Sequence, residues 1–173
     1  MLLYRLKIAV IFICFGVAVI FHFNYGIKGA VYLYLASFLL LMTHFLFGTV
    51  HLALEVLKKR DFLQGELLLL KNKHPNWLIR KNRAYYHFAY GIISLQNKDL
   101  DKGKMHFEEA AKIGLRSEKD KAFAYLNLAH IAFVQKNLSQ AHAHLKFAKN
   151  IQTNDLIIKE NLQNLESALA KLK

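Results

Sequence analysis

The chain has 173 residues, of which 54% are hydrophobic, and a formal net charge of +12 at pH 7. A single cysteine, Cys14, excludes an intramolecular disulfide, so we expect its thiol to behave as a small apolar side chain. The basic residues are scattered along the C-terminal part without a recognition motif, and we therefore expect no nucleic-acid partner.

The N-terminal third contains two apolar stretches without Asp, Glu, Lys or Arg, from Ile8 to Ile27 and from Gly29 to Leu54. A helix rises about 1.5 Å per residue, and about 20 residues cross a hydrocarbon core of roughly 30 Å. We therefore predict transmembrane spans near 7–27 and 29–54, joined by a tight turn into an antiparallel hairpin over 1–54. The rival interpretation of the first stretch is a cleaved signal peptide, but no small-x-small cleavage motif follows it.

The charges beside the two stretches predict their orientation. Basic side chains flank the outer ends of the hairpin, whereas the turn offers only Lys28. Since cytoplasmic flanks of membrane helices are rich in Lys and Arg, we expect an integral protein of a bacterial inner membrane with both termini in the cytoplasm. The flanking residues, which also suit lipid head groups, are Arg5, Lys7, Lys58, Lys59 and Arg60.

Histidines in the second stretch raise a different hypothesis. His44 and His51 are seven residues apart and would share one face of a continuous helix. Histidine inside a membrane is often a functional residue, for example a haem ligand or part of a proton path. A haem or proton-path protein that uses His44 and His51 is therefore a minor alternative function. However, His51 falls where the span is expected to leave the bilayer, and no further ligand pattern accompanies the pair. We therefore predict no cofactor and no metal.

The chain also lacks the patterns that carry catalysis. We find no nucleophile paired with a base, no phosphate-binding loop and no zinc-ligand spacing. We therefore predict no catalytic residues and a protein that is not an enzyme.

From Glu55 onwards the pattern is helical and contains an internal repeat. The segment from Ala84 aligns without gaps with the segment from Ala122, and the separation of these two residues defines the repeat offset. Large and small residues recur at matched places, which lets the ridges of one helix enter the grooves of the next. The matched small residues are Gly91/Ala129, Gly103/Ala141 and Ala110/Ala148, and the matched large ones are Tyr90/Leu128, Leu100/Leu138 and Phe107/Leu145.

This pattern resembles the tetratricopeptide repeat, a helix-turn-helix unit. The resemblance implies an all-α fold in which stacked units form a short solenoid with a concave groove. Three departures are plain. Lys98 and Lys136 stand where the family has a turn glycine, the family's proline at the end of each unit is absent, and the period exceeds the family's roughly 34 residues.

One repeat offset before Ala84, the sequence again shows part of the pattern. This predicts a degenerate first repeat that begins within the second apolar stretch. In that case the membrane helix would continue directly as the first repeat helix, although Asn72 breaks the match. The apolar stripe that follows Asp155 is typical of a terminal capping helix. The predicted domain covers 46–173, with repeats near 46–79, 84–115 and 122–153 and a capping helix over 155–173.

By resemblance, the groove is lined by residues of the first helix of each repeat. It would bind a protein segment through aromatic anchors, or its residues would pack against the chain's own helices instead. The leading hypothesis is a membrane-anchored scaffold that holds a protein partner. The alternative is an accessory subunit whose spans contact a larger membrane complex through small residues. The candidate groove residues are Tyr85, Phe88, Ile92, Gln96, Phe123, Asn127 and His130.

Overall fold

A computed structural model describes the backbone of residues 2–171. The side chains of residues 2–5, 7, 8, 44, 45 and 47 lie outside the described part. Within the described residues the chain is all-α, as predicted, with no strand and one short 3-10 helix at Pro75–Trp77. The α-helices are α1 Leu2–Phe47, α2 Val50–Lys58, α3 Phe62–Leu69, α4 Arg80–Gln96, α5 Leu100–Ile113, α6 Glu118–Val134, α7 Leu138–Asn150 and α8 Leu156–Ala170.

Helix α1 contains the apolar part of the chain. Its Ala9–Thr43 portion is the one helix among the described residues that is long and apolar enough to cross a membrane. Most of its large side chains are exposed rather than packed inside the chain, Phe12 and Phe23 among them. The helix is interrupted at Gly26, whose φ of 73° and ψ of −179° are not helical. Only glycine adopts such a backbone conformation without steric cost.

The chain divides into two compact units, Met1–Thr49 and Val50–Lys173. Helix α1 ends at Phe47, and Gly48 follows it with a φ of 54°. A glycine in this left-handed conformation is a common helix terminator. The expectation that the second apolar stretch continues as an unbroken helix into the first repeat is therefore wrong.

The second unit consists of three helix pairs and a final helix. The first pair is α2 and α3, the second is α4 and α5, and the third is α6 and α7. Each helix packs most extensively against the other member of its own pair, and α8 lies against α6 and α7. At the start of α8, Asp155 accepts a hydrogen bond from the Ile158 backbone N–H at 3.1 Å and pairs with Lys119 Nζ of α6 at 2.6 Å.

The turn inside each pair has one geometry, which recurs at the repeat offset of the sequence. Its second-to-last residue has a left-handed backbone, with φ of 62° at Arg60, 60° at Lys98 and 59° at Lys136. Lys98 and Lys136 are the positions at which the sequence lacks the expected turn glycine. A basic residue therefore adopts the conformation that glycine adopts most easily, at a cost of roughly 1–2 kcal/mol.

The following residue caps the second helix of each pair. Asp61, Asp99 and Asn137 each accept a hydrogen bond from the backbone N–H three residues on, at 3.0, 3.1 and 3.2 Å. Their own N–H groups donate back to the preceding helix, to the carbonyls of Val56, Ser94 and Ala132 respectively. Each turn thus satisfies backbone groups of both helices that it joins.

The close approach of paired helices depends on small residues. A Cβ added at Gly91 of α4 would lie 2.9 Å from the ring of Phe107 on α5, a residue with no exposed surface. A Cβ added at Gly65 of α3 would lie 2.7 Å from Leu57 on α2. The matched small residues of the sequence therefore lie where two helices cross.

The first pair is shorter than the others. Helices α2 and α3 have 9 and 8 residues, against 17 and 14 in α4 and α5. Helix α3 ends at Leu69, and Asn72 then donates from Nδ2 to the Leu69 carbonyl at 3.1 Å. The mismatch at Asn72 therefore coincides with early termination of the helix.

Candidate protein-binding face

The predicted groove residues lie on α4 and α6, and the structure brings the three aromatic ones together. The ring centroids of Tyr85 and Phe88 are 6.1 Å apart, and those of Phe88 and Phe123 are 5.7 Å apart. Both contacts have the edge-to-face geometry that aromatic rings prefer. The three aromatic side chains therefore form one contiguous cluster, which we call the aromatic cluster.

The aromatic cluster fills space between helices. Phe88 is only 6% exposed, and its ring lies 6.0 Å from that of Phe107, which has no exposed surface. Phe123 is half-buried and lies 6.4 Å from Phe107. Ile92 is also half-buried and packs against the same cluster. These side chains therefore join α4, α5 and α6, and Phe88 offers almost no surface to a partner.

Tyr85 connects the beginnings of α4 and α6. Its hydroxyl donates a hydrogen bond to Asp120 Oδ2 at 2.8 Å. Burial, followed by this hydrogen bond and the charge of Asp120, raises the pKa of Tyr85 above its usual value of 10.0. The phenol therefore stays protonated and remains a donor at physiological pH.

The remaining predicted residues form the accessible part of the face. Gln96 and His130 are exposed, and Val134, one turn beyond His130, is 48% exposed. Asn127 is half-buried, and its side chain donates to the Phe123 carbonyl at 2.7 Å within the same helix. The exposed residues Gln96 on α4 and His130 and Val134 on α6 are together called the accessible face, and they include polar and apolar side chains.

Two histidines that the sequence reasoning did not single out meet across the second pair. The Nδ1 atoms of His87 on α4 and His106 on α5 are 3.1 Å apart, and the His106 ring stacks on Tyr90 at 5.2 Å. Burial lowers the pKa of both imidazoles below 6.5, and Arg83 near His87 and Lys102 near His106 contribute to the lowering. Only a pair with at least one neutral ring can share a hydrogen bond, because two imidazolium rings offer donors alone.

The histidine pair could supply two nitrogen ligands to a metal ion. Among the described residues, no group of three His, Cys, Asp or Glu side chains is placed to hold a metal ion. Sequence spacing could not reveal this pair, because residues 19 apart meet only through the register of two antiparallel helices.

The two histidines proposed for a haem or proton-path site lie on different helices, since α1 ends before His51. The side chain of His44 lies outside the described part. His51 is exposed on α2, and its Nε2 lies 3.3 Å from Glu55 Oε1. The expectation of one shared helix face is therefore wrong.

The predicted membrane-flanking basic residues fall into two groups. The side chains of Arg5 and Lys7 lie outside the described part. Lys58, Lys59 and Arg60 are exposed at the end of α2 and in the turn that follows it.

No protein-family model, curated protein or solved structure matches this chain.

Proposed function

We propose that the chain is a membrane-anchored scaffold, in which a short tetratricopeptide-type domain holds a protein partner beside the bilayer. The observation that carries the proposal is the turn that recurs at Arg60, Lys98 and Lys136 with the same backbone geometry. Repeated helix pairs with a terminal capping helix are the usual construction of protein-binding solenoids. Small residues at the helix crossings, such as Gly91 and Gly103, further support the family resemblance.

The anchor in this proposal is a hairpin of two membrane spans that meet at Gly26. The segments on either side of Gly26 have 24 and 21 residues, which correspond to roughly 36 and 32 Å of helix. The ring of Tyr34 lies 5.9 Å from that of Phe15 and 6.1 Å from that of His22, so residues from both segments meet. Both lengths suit a hydrocarbon core of about 30 Å.

The charges outside the proposed spans favour a cytoplasmic location for the helix pairs. Lys58, Lys59 and Arg60 follow the second span, and Arg5 and Lys7 begin the first, whereas Lys28 is the lone charge near Gly26. This asymmetry is the basis on which both termini are assigned to the cytoplasm.

The proposed partner is a protein segment that binds on the accessible face formed by Gln96, His130 and Val134. Anchoring confines this face to the membrane surface, which raises the effective concentration of any partner that is also membrane-bound. No catalytic step is part of this proposal.

Photo-crosslinking in native membranes tests the proposal, because it shows which positions of the chain contact a partner. A crosslinking amino acid would replace His130 or Val134 on the accessible face, and Met105 on α5 as the matched control. Met105 is 55% exposed, close to the 48% of Val134. A partner captured from His130 and Val134 but not from Met105 supports a scaffold.

The same experiment tests the accessory-subunit alternative. Exposed positions of α1, such as Phe38 and Leu39, would be replaced in the same way. A partner captured only from these positions would sink the scaffold proposal and favour contacts through the spans.

A further inference from the structure

Helix α3 has apolar side chains both on the side that packs inside the domain and on the side that is exposed. Only Gln64 and Glu66 are polar among its eight residues. Its inner side chains pack against α2 and α4. An outer face remains, which we call the α3 face: Leu63, Leu67 and the C-cap residue Leu70, exposed by 70%, 44% and 59%. These three residues have the i, i+4, i+7 spacing that places side chains on one side of a helix.

The equivalent positions of the other two pairs show that helix packing does not require this apolar surface. They lie one and two repeat offsets further along the chain and are exposed as well. Four of the six are polar or charged, and one of the others is alanine. The residues are Asp101, Met105 and Glu108 on α5, and Ser139, Ala143 and Lys146 on α7. The apolar outer face is therefore particular to the first pair.

Trp77 follows α3 in the 3-10 helix and is the only tryptophan of the chain. It is 57% exposed, and its ring stacks on His74 with 4.7 Å between the centroids. Tryptophan concentrates at the boundary between lipid head groups and acyl chains, because its ring is apolar and its N–H needs a polar partner.

The charge of this region complements an anionic surface. Residues 58–83 contain eight Lys and Arg and two acidic residues, a net charge of +6, which is half of the +12 of the whole chain. The longer segment 84–173 contains thirteen Lys and Arg and nine acidic residues, a net charge of +4. Basic residues close to a membrane are attracted to its anionic lipids.

We propose that the α3 face and Trp77 lie on the surface of an anionic lipid bilayer, with these apolar side chains at the boundary of head groups and acyl chains. The surrounding basic side chains, Lys58, Lys59 and Lys73 among them, contact lipid phosphates. This inference rests on the proposed membrane anchor, because α3 begins fifteen residues after α1 ends. An apolar helix face beside Lys and Arg is the usual composition of an interfacial helix.

Trp77 fluorescence provides a direct test with the full chain. The protein is reconstituted into vesicles of phosphatidylcholine and phosphatidylglycerol in which part of the lipid carries bromine on its acyl chains. Brominated chains quench only a tryptophan that reaches them. We expect strong quenching in these vesicles, weaker quenching in pure phosphatidylcholine vesicles, and a blue shift of the emission relative to protein in detergent.

Two variants separate the apolar from the electrostatic contribution. Leu63→Ser/Leu67→Ala/Leu70→Lys introduces the residues that the third pair carries at the same exposed positions, and it should lose most of the quenching. Lys58→Gln/Lys59→Gln/Lys73→Gln should lose the difference between the two lipid compositions. Met105→Ala, a change of an exposed apolar residue in the second pair, is the matched control and should keep the wild-type quenching. Far-UV circular dichroism establishes that each variant keeps its helices.

The outcomes distinguish this inference from the proposed anchor. Resistance to extraction at alkaline pH reports the anchor independently of Trp77. A chain that resists extraction but whose Trp77 is not quenched overturns the inference and leaves the anchor standing. A chain that is extracted although Trp77 was quenched overturns the anchor and keeps the surface contact. If Leu63→Ser/Leu67→Ala/Leu70→Lys leaves the quenching unchanged, the assignment of the α3 face to lipid is overturned. It is also overturned if this variant changes the oligomeric state of the protein instead of the quenching.

Discussion

The first and second helix pairs have the same turn but differ in length and in surface. Arg60 and Lys98 have nearly the same φ, and Asp61 and Asp99 cap the next helix with the same hydrogen bond. Yet α3 has an apolar outer face, whereas α5 presents Asp101 and Glu108 at the matching positions. The comparison teaches that a few turn and crossing residues specify this repeat, while the outer surface is free to change.

The largest expected effect tests whether matched core positions are equivalent. Phe107 in the second pair and Leu69 in the first are both fully buried. We expect Phe107→Ala to lower the free energy of unfolding by about 3–5 kcal/mol and Leu69→Ala by about 2–5 kcal/mol, because each leaves a cavity. Urea titration in mild detergent, followed by far-UV circular dichroism, measures both. Met105→Ala on α5 is the exposed control and should stay within about 0.5 kcal/mol of wild type.

The next effect tests the crossing of α4 and α5. Gly91→Ala places a Cβ 2.9 Å from the Phe107 ring and should cost about 1–3 kcal/mol through overpacking. The first and third pairs combine alanine with leucine at these positions, as Ala53 with Leu69 and Ala129 with Leu145. The double variant Gly91→Ala/Phe107→Leu should therefore lose less stability than the sum of the single variants. Additive losses in the double-mutant cycle would contradict this account.

A smaller effect tests the cap that all three turns share. Asp99→Ala removes the acceptor of the Lys102 backbone N–H and should lower the midpoint of urea unfolding, by less than Gly91→Ala does. Asp99→Asn installs the residue of the third turn and should keep most of the stability, because Asn137 makes the same bond there. The midpoint of urea unfolding measures both losses. Equal losses for both substitutions would show that the charge, rather than the hydrogen bond, is what matters.

The smallest expected effect is a pH dependence of stability that the second pair has and the first pair lacks. His87 and His106 have pKa values lowered by burial, so the unfolded chain binds more protons as the pH falls through about 6.5. The stability of the neutral pair is therefore complete above that pH and declines below it. One repeat offset earlier in the sequence stand Thr49 and Leu68, and neither side chain is an imidazole that could make such a contribution.

The midpoint of urea unfolding, measured from about pH 7.5 down to about pH 5.5, checks this dependence. His87→Gln/His106→Gln should flatten it in part, since burial also lowers the pKa of His144. His142→Gln removes an exposed histidine of α7 and serves as the control. An unchanged slope in the double variant would exclude the pair as its source.

The periodicity of the sequence predicted the helices well, because helix starts and matched small residues are local features. The repeat offset placed Gly91 and Gly103 correctly at helix crossings. The repeat offset could not predict the backbone of the turns that lack glycine, because a lysine such as Lys98 does not indicate a left-handed conformation. It also missed the end of α1, because Gly48 lies in an apolar run that is typical of a continuous helix.

The candidate face was predicted less well, for a physical reason. Phe88 and Phe123 project from the expected helices, but whether a side chain lines a groove or fills an interface depends on how closely neighbouring helices approach. That distance follows from long-range packing around Phe107, which periodicity does not report. Gln96 and His130, two other residues predicted to line the groove, are exposed, and their role in binding a partner stays a prediction.

The regular recurrence of one turn, at Arg60, Lys98 and Lys136, also has a consequence for synthesis. A ribosome adds about 5–20 residues per second, so the synthesis of one helix pair takes seconds. Helical units with local contacts fold within microseconds to milliseconds. Each pair therefore has time to form its internal contacts before the next pair leaves the ribosome, but its core is completed only when the next pair arrives, because Phe107 also packs against Phe123 of α6.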